Sequence, residues 1–227
     1  MSSLSVIIYG YNEGNNFFSV VNEVLGVLGN LSCKYELILI DDGSNDQTQS
    51  VINKLKQENG DIRVIVHPQR SGIGACLNDG YRAAKEELIT FLPADGQVDP
   101  KDIKRFLALI DDCDVVCSYY NKKPFSWFRK LMSNSVRLLV FVLFGPSPRI
   151  EGSYMFRRKI LEDISLFSTS FAINFEFVIK AYRKRFRFKF FEVDPRLRLS
   201  GHSKVTNFNT IWKVFIEIIN LRIRFSS

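Results

Sequence analysis

A chain of 227 residues, 46% hydrophobic and 24% charged, is long enough for one sizeable hydrophobic core and demands no second. Its formal net charge of +7 favours an anionic partner such as a phosphate or an acidic lipid surface, and the absence of a recognition motif argues against a nucleic acid. No apolar run reaches the roughly 18 to 20 residues needed to cross a bilayer. The opening MSSLSVIIYG has neither the basic region nor the apolar core of a secretory signal, so none is expected.

Ser5–Tyr9 is a β-branched run ending at Gly10, and apolar residues recur at helical spacing from Phe17 to Leu28. Between them lies the loop Gly10-Tyr11-Asn12-Glu13-Gly14. A second apolar strand, Glu36–Ile40, runs into Asp41-Asp42-Gly43-Ser44-Asn45-Asp46, and a helix starts near Thr48 with Ser44 or Asp46 as its cap. Capping leaves unexplained why Asp41 and Asp42 stand side by side. Ile62–Val66 is a third strand, followed by Arg70-Ser71-Gly72-Ile73-Gly74 and a helix through Ala84. Gly72 and Gly74 permit a tight turn, and the helix start beyond them suits a phosphate.

Leu88–Pro93 is a fourth strand that delivers Asp95, Gly96 and Gln97 to a sheet edge before a helix from Lys101 to Ile110. An acid at the C-terminal end of a parallel strand lies where open α/β sheets bind ligands. Val115–Tyr119 makes a fifth strand. This alternation predicts an α/β fold, a mostly parallel central sheet flanked by helices.

Beyond Lys122 the character changes, with Arg and Lys crowding the chain where Asp crowded its first half. Phe125–Phe144 reads as an apolar helix that either packs on the core or lies on lipid. Gly152–Phe156 is a strand, Asn174–Lys184 a helix carrying Glu176 near its start, and Lys189–Val193 a last strand. A basic loop, Arg196 to Lys204, precedes an amphipathic helix from Phe208 to Phe225 that bears Trp212, Ile216, Ile219 and Ile223 with Lys213, Arg222 and Arg224. The simplest parse is one unit over 1–205 and a membrane-interfacial helix within 206–227. Cys33, Cys76, Cys113 and Cys117 lack CxxC spacing, and with His67 and His202 as the only histidines they read as reduced thiols of a cytoplasmic protein.

The succession SVIIYGYNEGNN, ELILIDDGSNDQT, RSGIGACLNDGYRAA and ITFLPADGQVDP resembles the family-two glycosyltransferases with the nucleotide-diphospho-sugar transferase (GT-A, Rossmann-like) fold. GSYMFRR and RLSGHSK resemble the branch that includes dolichyl-phosphate mannosyltransferase and bacterial polyprenyl-phosphate sugar transferases. The resemblance implies that Tyr11, Asn12 and Glu13 line a nucleotide pocket, that Asp42 hydrogen-bonds the base with Asp41 beside it, and that Arg70, Gly72 and Gly74 approach the donor. It further implies that Asp95 binds a divalent metal, Mg²⁺ or Mn²⁺, with Gln97 as a further ligand, and that Arg198, Ser203 and Lys204 clamp an acceptor phosphate. The family pattern is Asp-x-Asp where this chain has Pro93-Ala94-Asp95, so Asp95 stands without the first carboxylate.

The expected reaction is inverting transfer of a sugar from a nucleotide-diphospho-sugar donor to a polyprenyl phosphate, by a protein peripheral at the cytoplasmic membrane face and in contact with anionic lipid. A hydroxyl acceptor on a glycolipid or polysaccharide is the alternative; it requires a base, for which Glu176 and, less well placed, Glu151 are the candidates. A non-catalytic sugar-nucleotide-binding protein is the alternative of another class.

Overall fold

The computed structural model describes residues 2–120, 127–148, 151–194, 196–199 and 208–225, the side chains of 128–130 and 208–211 excepted. Apolar runs form β1 (Leu4–Gly10), β2 (Tyr35–Asp41), β3 (Ile62–Val66), β4 (Leu88–Pro93) and β5 (Val115–Tyr120), alternating with α1 (Gly14–Leu28), α2 (Thr48–Glu58), α3 (Ile73–Ala83) and α4 (Asp102–Leu109). The C-terminal part adds α5 (Trp127–Phe144), β6 (Tyr154–Arg157), the single turn α6 (Ile160–Asp163), α7 (Ala172–Arg183), β7 (Phe188–Val193) and α8 (Phe208–Arg224).

The strands make one sheet in the order β3-β2-β1-β4-β6-β5-β7. β1, β2, β3 and β4 are parallel, as is the β5–β7 pair, whereas β6 runs antiparallel to both β4 and β5. The chain winds outward from β1 to β3 and then returns to place β4 on the other side of β1. That reversal makes the carboxyl ends of β1 and β4 the switch point where such sheets open a crevice. Register carries the loops there together, with Tyr9 opposite both Ile40 and Pro93, and Gly10 opposite Asp41.

Two apolar layers cover the sheet. Val6 and Ile8 pack with Phe17, Val21 and Val24 of α1, Ile52 and Leu55 of α2, and Phe106 of α4. The opposite face packs Ile7, Ile38 and Ile40 with Leu77 and Tyr81 of α3 and Phe177 of α7. Alternation along β1 dictates this division, since successive side chains point to opposite faces. A third cluster joins α5, α7 and α8 through Val136, Val140, Ile179, Val214 and Ile218. On α5 the two readings of the sequence divide between faces: Val136, Val140 and Phe144 are buried while Leu131, Leu138, Phe141 and Val142 are exposed. No helix of the described residues is long and apolar enough to cross a membrane. Cys76, Cys113 and Cys117 are buried, Cys33 is half-buried, and all four are free.

Candidate functional site at the switch point

The loop after β1 and the loop after β2 are stitched to one another. Ser44 Oγ accepts the Asn12 N–H at 2.8 Å, the Asn45 N–H donates to Asn12 Oδ1 at 3.0 Å, and Thr48 Oγ1 accepts the Glu13 N–H at 3.0 Å. Asn12 takes a positive φ of 51° in this turn, a conformation asparagine tolerates better than most residues. Asp46 caps α2, accepting the Thr48 N–H at 2.9 Å, while Ser44 serves the neighbouring loop instead. Asp41 is buried and its Oδ1 accepts the Ser44 N–H at 3.0 Å.

Asp42, also buried, faces the glycine-bearing turn. Its Oδ1 accepts N–H groups from Ser71 at 2.8 Å and Gly72 at 3.2 Å, and its Oδ2 accepts Gly72 again at 3.0 Å. Gly72 has φ +97°, open to glycine and strained for other residues. On the turn's other flank Gly74 donates its N–H to Thr169 O at 2.9 Å, and a Cβ on Gly74 would meet Ser168 O at 2.5 Å. The Arg70 guanidinium lies 4.6 Å from the Tyr11 ring centroid, a cation–π contact across the mouth of the crevice.

Asp95 sits one residue beyond the buried Ala94, whose N–H donates to Tyr9 O at 2.8 Å. Asp95 Oδ1 accepts the Gln97 N–H at 3.0 Å, and Oδ2 faces the Arg198 guanidinium at 3.7 Å. Arg198 also pairs with Glu13. Arg198 therefore bridges the acid after β1 and the acid after β4, across the switch point. The segment carrying it is tied down by the Leu199 N–H donating to Asp95 O at 3.2 Å and by Arg196 pairing with Glu23 at 2.8 Å. Burial, followed by the charge of Asp95, pushes the Tyr9 phenol well above its ordinary value.

Two arrangements deserve testing as cation sites. At Asp95 a guanidinium already faces Oδ2, and a carboxylate with an amide side chain two residues on is a hard-oxygen set suited to a divalent ion shared with phosphates. Asp42, His67 and Cys76 hold ligand atoms within 4.8 Å of one another, a softer set. There the Asp42 oxygens already accept the backbone N–H groups, and burial, followed by the charge of Asp42, pushes the Cys76 thiol up, away from the thiolate a metal requires. The oxygens of Asp95 also have partners here, and what separates the two arrangements is donor type, hard oxygen at Asp95 and nitrogen and sulfur beside Asp42.

Glu176, on α7, is fully buried. Its carboxylate accepts the N–H groups of Phe167 at 3.1 Å and Ser168 at 2.8 Å and pairs with Lys180 at 2.6 Å. Glu217 of α8, which sequence reading passed over, accepts the Thr169 hydroxyl at 2.9 Å and the Ser170 hydroxyl at 2.6 Å. Together they fix the 167–170 segment against Gly74. Glu151 pairs with Arg137. Ser203 and Lys204 lie outside the described residues.

The crevice thus gathers Tyr11, Asn12, Glu13, Asp42, Arg70, Gly72, Asp95 and Arg198. A family model described as glycosyl transferase family 2 matches residues 5–182. The undecaprenyl-phosphate 4-deoxy-4-formamido-L-arabinose transferase of Proteus mirabilis (strain HI4320) is 28% identical over 166 residues, covering 71% of this chain and 51% of that protein. The chain spans about half the length of that relative. Among solved structures, the glucosyl-3-phosphoglycerate synthase from Mycobacterium tuberculosis in complex with Mn²⁺, uridine diphosphate and phosphoglyceric acid superimposes with a TM-score of 0.73 at 16% identity, covering 98% of this chain and 78% of that one. Its complex with phosphoglyceric acid alone gives 0.72 at 18% identity, covering 98% and 79%. These likenesses show the fold.

Proposed function

The chain belongs to glycosyl transferase family 2, and from that premise we propose that it moves a sugar, with inversion, from a nucleotide-diphospho-sugar to a polyprenyl phosphate at the cytoplasmic face of a membrane. The observation that carries the reading is the Glu13–Arg198–Asp95 bridge over the switch point. It sets a carboxylate able to share a cation with a diphosphate beside an arginine able to meet a second phosphate.

In this reading Tyr11 and Arg70 border the nucleotide, and the Ser71–Gly72 turn held by Asp42 forms the floor under it. A divalent ion, when bound at Asp95 with Gln97, would neutralise charge on the departing diphosphate. Arg198 exchanges its carboxylate partners for phosphate oxygens, with Ser203 and Lys204 as its proposed companions. Guanidinium groups suit this duty because they meet phosphate oxygens bidentately. The acceptor phosphate oxygen is already anionic near neutral pH and attacks the anomeric carbon as the bond to the diphosphate breaks, so no residue need take a proton. The engagement of Glu176 with two backbone N–H groups and Lys180 supports this acceptor over a hydroxyl, which would require a base.

The exposed stripe of α8, Trp212, Ile216, Ile219 and Ile223, together with Lys213, Arg222 and Arg224, supports contact with anionic lipid. The relative from Proteus mirabilis is named for an undecaprenyl-phosphate acceptor, which agrees with the same choice. A panel of nucleotide sugars assayed with undecaprenyl phosphate, with dolichyl phosphate and with sugar hydroxyl acceptors tests the reading. Product is expected only with a lipid phosphate. Product from hydroxyl acceptors alone would move the protein to the other acceptor class, and donor binding without product from any acceptor would make it a binding protein.

A further inference from the structure

His67 follows β3 and belongs to no motif quoted for the family. Its N–H donates to Asp41 O at 2.9 Å, which brings the ring beneath the glycine-bearing turn. Both ring nitrogens face carboxylates, Nδ1 that of Asp42 at 2.9 Å and Nε2 that of Asp79 at 3.1 Å. The ring is buried, as is Asp42, whereas Asp79 on α3 is partly exposed and pairs with Arg82 at 3.4 Å. Among the described residues the Cys76 thiol also contacts Asp42.

With a carboxylate oxygen on each side, the ring ties the two acids together through its two nitrogens. The Asp42 oxygens that His67 holds are the same ones that receive the Ser71 and Gly72 N–H groups. Rotation of that carboxylate would release the turn that ends in Arg70 on one side and Gly74 on the other.

We propose that His67 is a positioning residue of the donor site: its ring bridges Asp79 to Asp42 and holds the carboxylate that carries the Arg70–Gly74 turn, and so preorganises the turn for a nucleoside diphosphate. The inference rests on the donor half of the proposed function and is independent of the acceptor. Without the ring, Asp42 loses a partner on the side away from the turn, and the turn loosens.

Calorimetric titration of the whole protein with uridine diphosphate and with guanosine diphosphate, each with Mn²⁺, tests this. His67→Gln is expected to bind the tighter of the two about tenfold more weakly than wild type, as the loss of a hydrogen bond to a charged group predicts, and His67→Asn, whose amide nitrogen can take the place of Nδ1 toward Asp42, is expected to recover part of the loss. Asp79→Asn, altered at the partly exposed end of the bridge, should lose about threefold and keeps the question answerable if His67→Gln does not fold.

Unchanged affinity in a folded His67→Gln, or no recovery in a folded His67→Asn, would overturn the proposal. If wild type binds neither nucleotide, the donor reading itself falls.

Discussion

The halves of the molecule on either side of β5 hold their candidate residues in different ways. In the first, each lies within a few residues of a strand's carboxyl end, and backbone N–H groups hold the aspartates, from another loop at Asp42 and from the same loop at Asp41 and Asp95. In the second, candidates ride on helix faces and on a segment that returns across the crevice, as Arg198 does to reach Glu13 and Asp95. Parallel register brings strand ends together automatically, so the first half can hold a small charged donor in fixed geometry. The second presents exposed apolar stripes on α5 and α8, which suit a surface more than a pocket. The lesson is a division of labour in build, with a rigid sheet edge on one side and a helical flank on the other, which the proposed function assigns to donor and acceptor.

The largest effect expected from breaking this arrangement comes at the first half's acid. Asp95→Asn should lower sugar transfer at least about a hundredfold by removing the charge proposed to hold a divalent ion, measured as product formed per enzyme at saturating donor. Retained activity would remove Asp95 from the metal site.

A smaller effect is expected where the halves touch. Gly74→Ala places a methyl against Ser168 O and the Thr169 backbone, and the 167–170 segment cannot recede because Glu176 and Glu217 hold it. A cost of about 1–3 kcal/mol in folding stability, read by denaturant titration, should come with weakened nucleotide binding. Unchanged stability would mean that the two halves are not rigidly joined there.

The smallest effect concerns the flank alone. Trp212→Ser on α8 should weaken sedimentation with anionic vesicles by about fivefold, through lost apolar burial, while leaving nucleotide binding intact. Equal sedimentation of the variant and wild type would move the lipid contact elsewhere.

Much of the first half is legible in sequence because its signals are local. The β-branched runs of β1 to β4 fix strands with carboxyl ends at Gly10, Asp41 and Pro93, within a few residues of the motifs. Pro93, the departure from the family pattern, closes β4 opposite Tyr9 and leaves Asp95 in place beyond it. Asp46 as the cap of α2 was likewise one of two short-range choices. β6 was recognisable as a strand but not as antiparallel, since its direction depends on where β5 returns beside β4.

Residues whose partners are distant in sequence are harder to read from it. Glu176 reads as a candidate base near a helix start, and the structure adds that its carboxylate binds the segment preceding that helix. Glu217 and His67 carry no motif, and their partners lie 48 and 25 residues away. The sequence by itself determined the alternation of strand and helix, and with it the edge at which the acids gather, because periodicity and turn chemistry act over a few residues. Only the tertiary structure decided that Arg198, 185 residues from Glu13, bridges it to Asp95, and that His67 joins Asp42 to Asp79, because those pairings follow from sheet order and the return path of the chain.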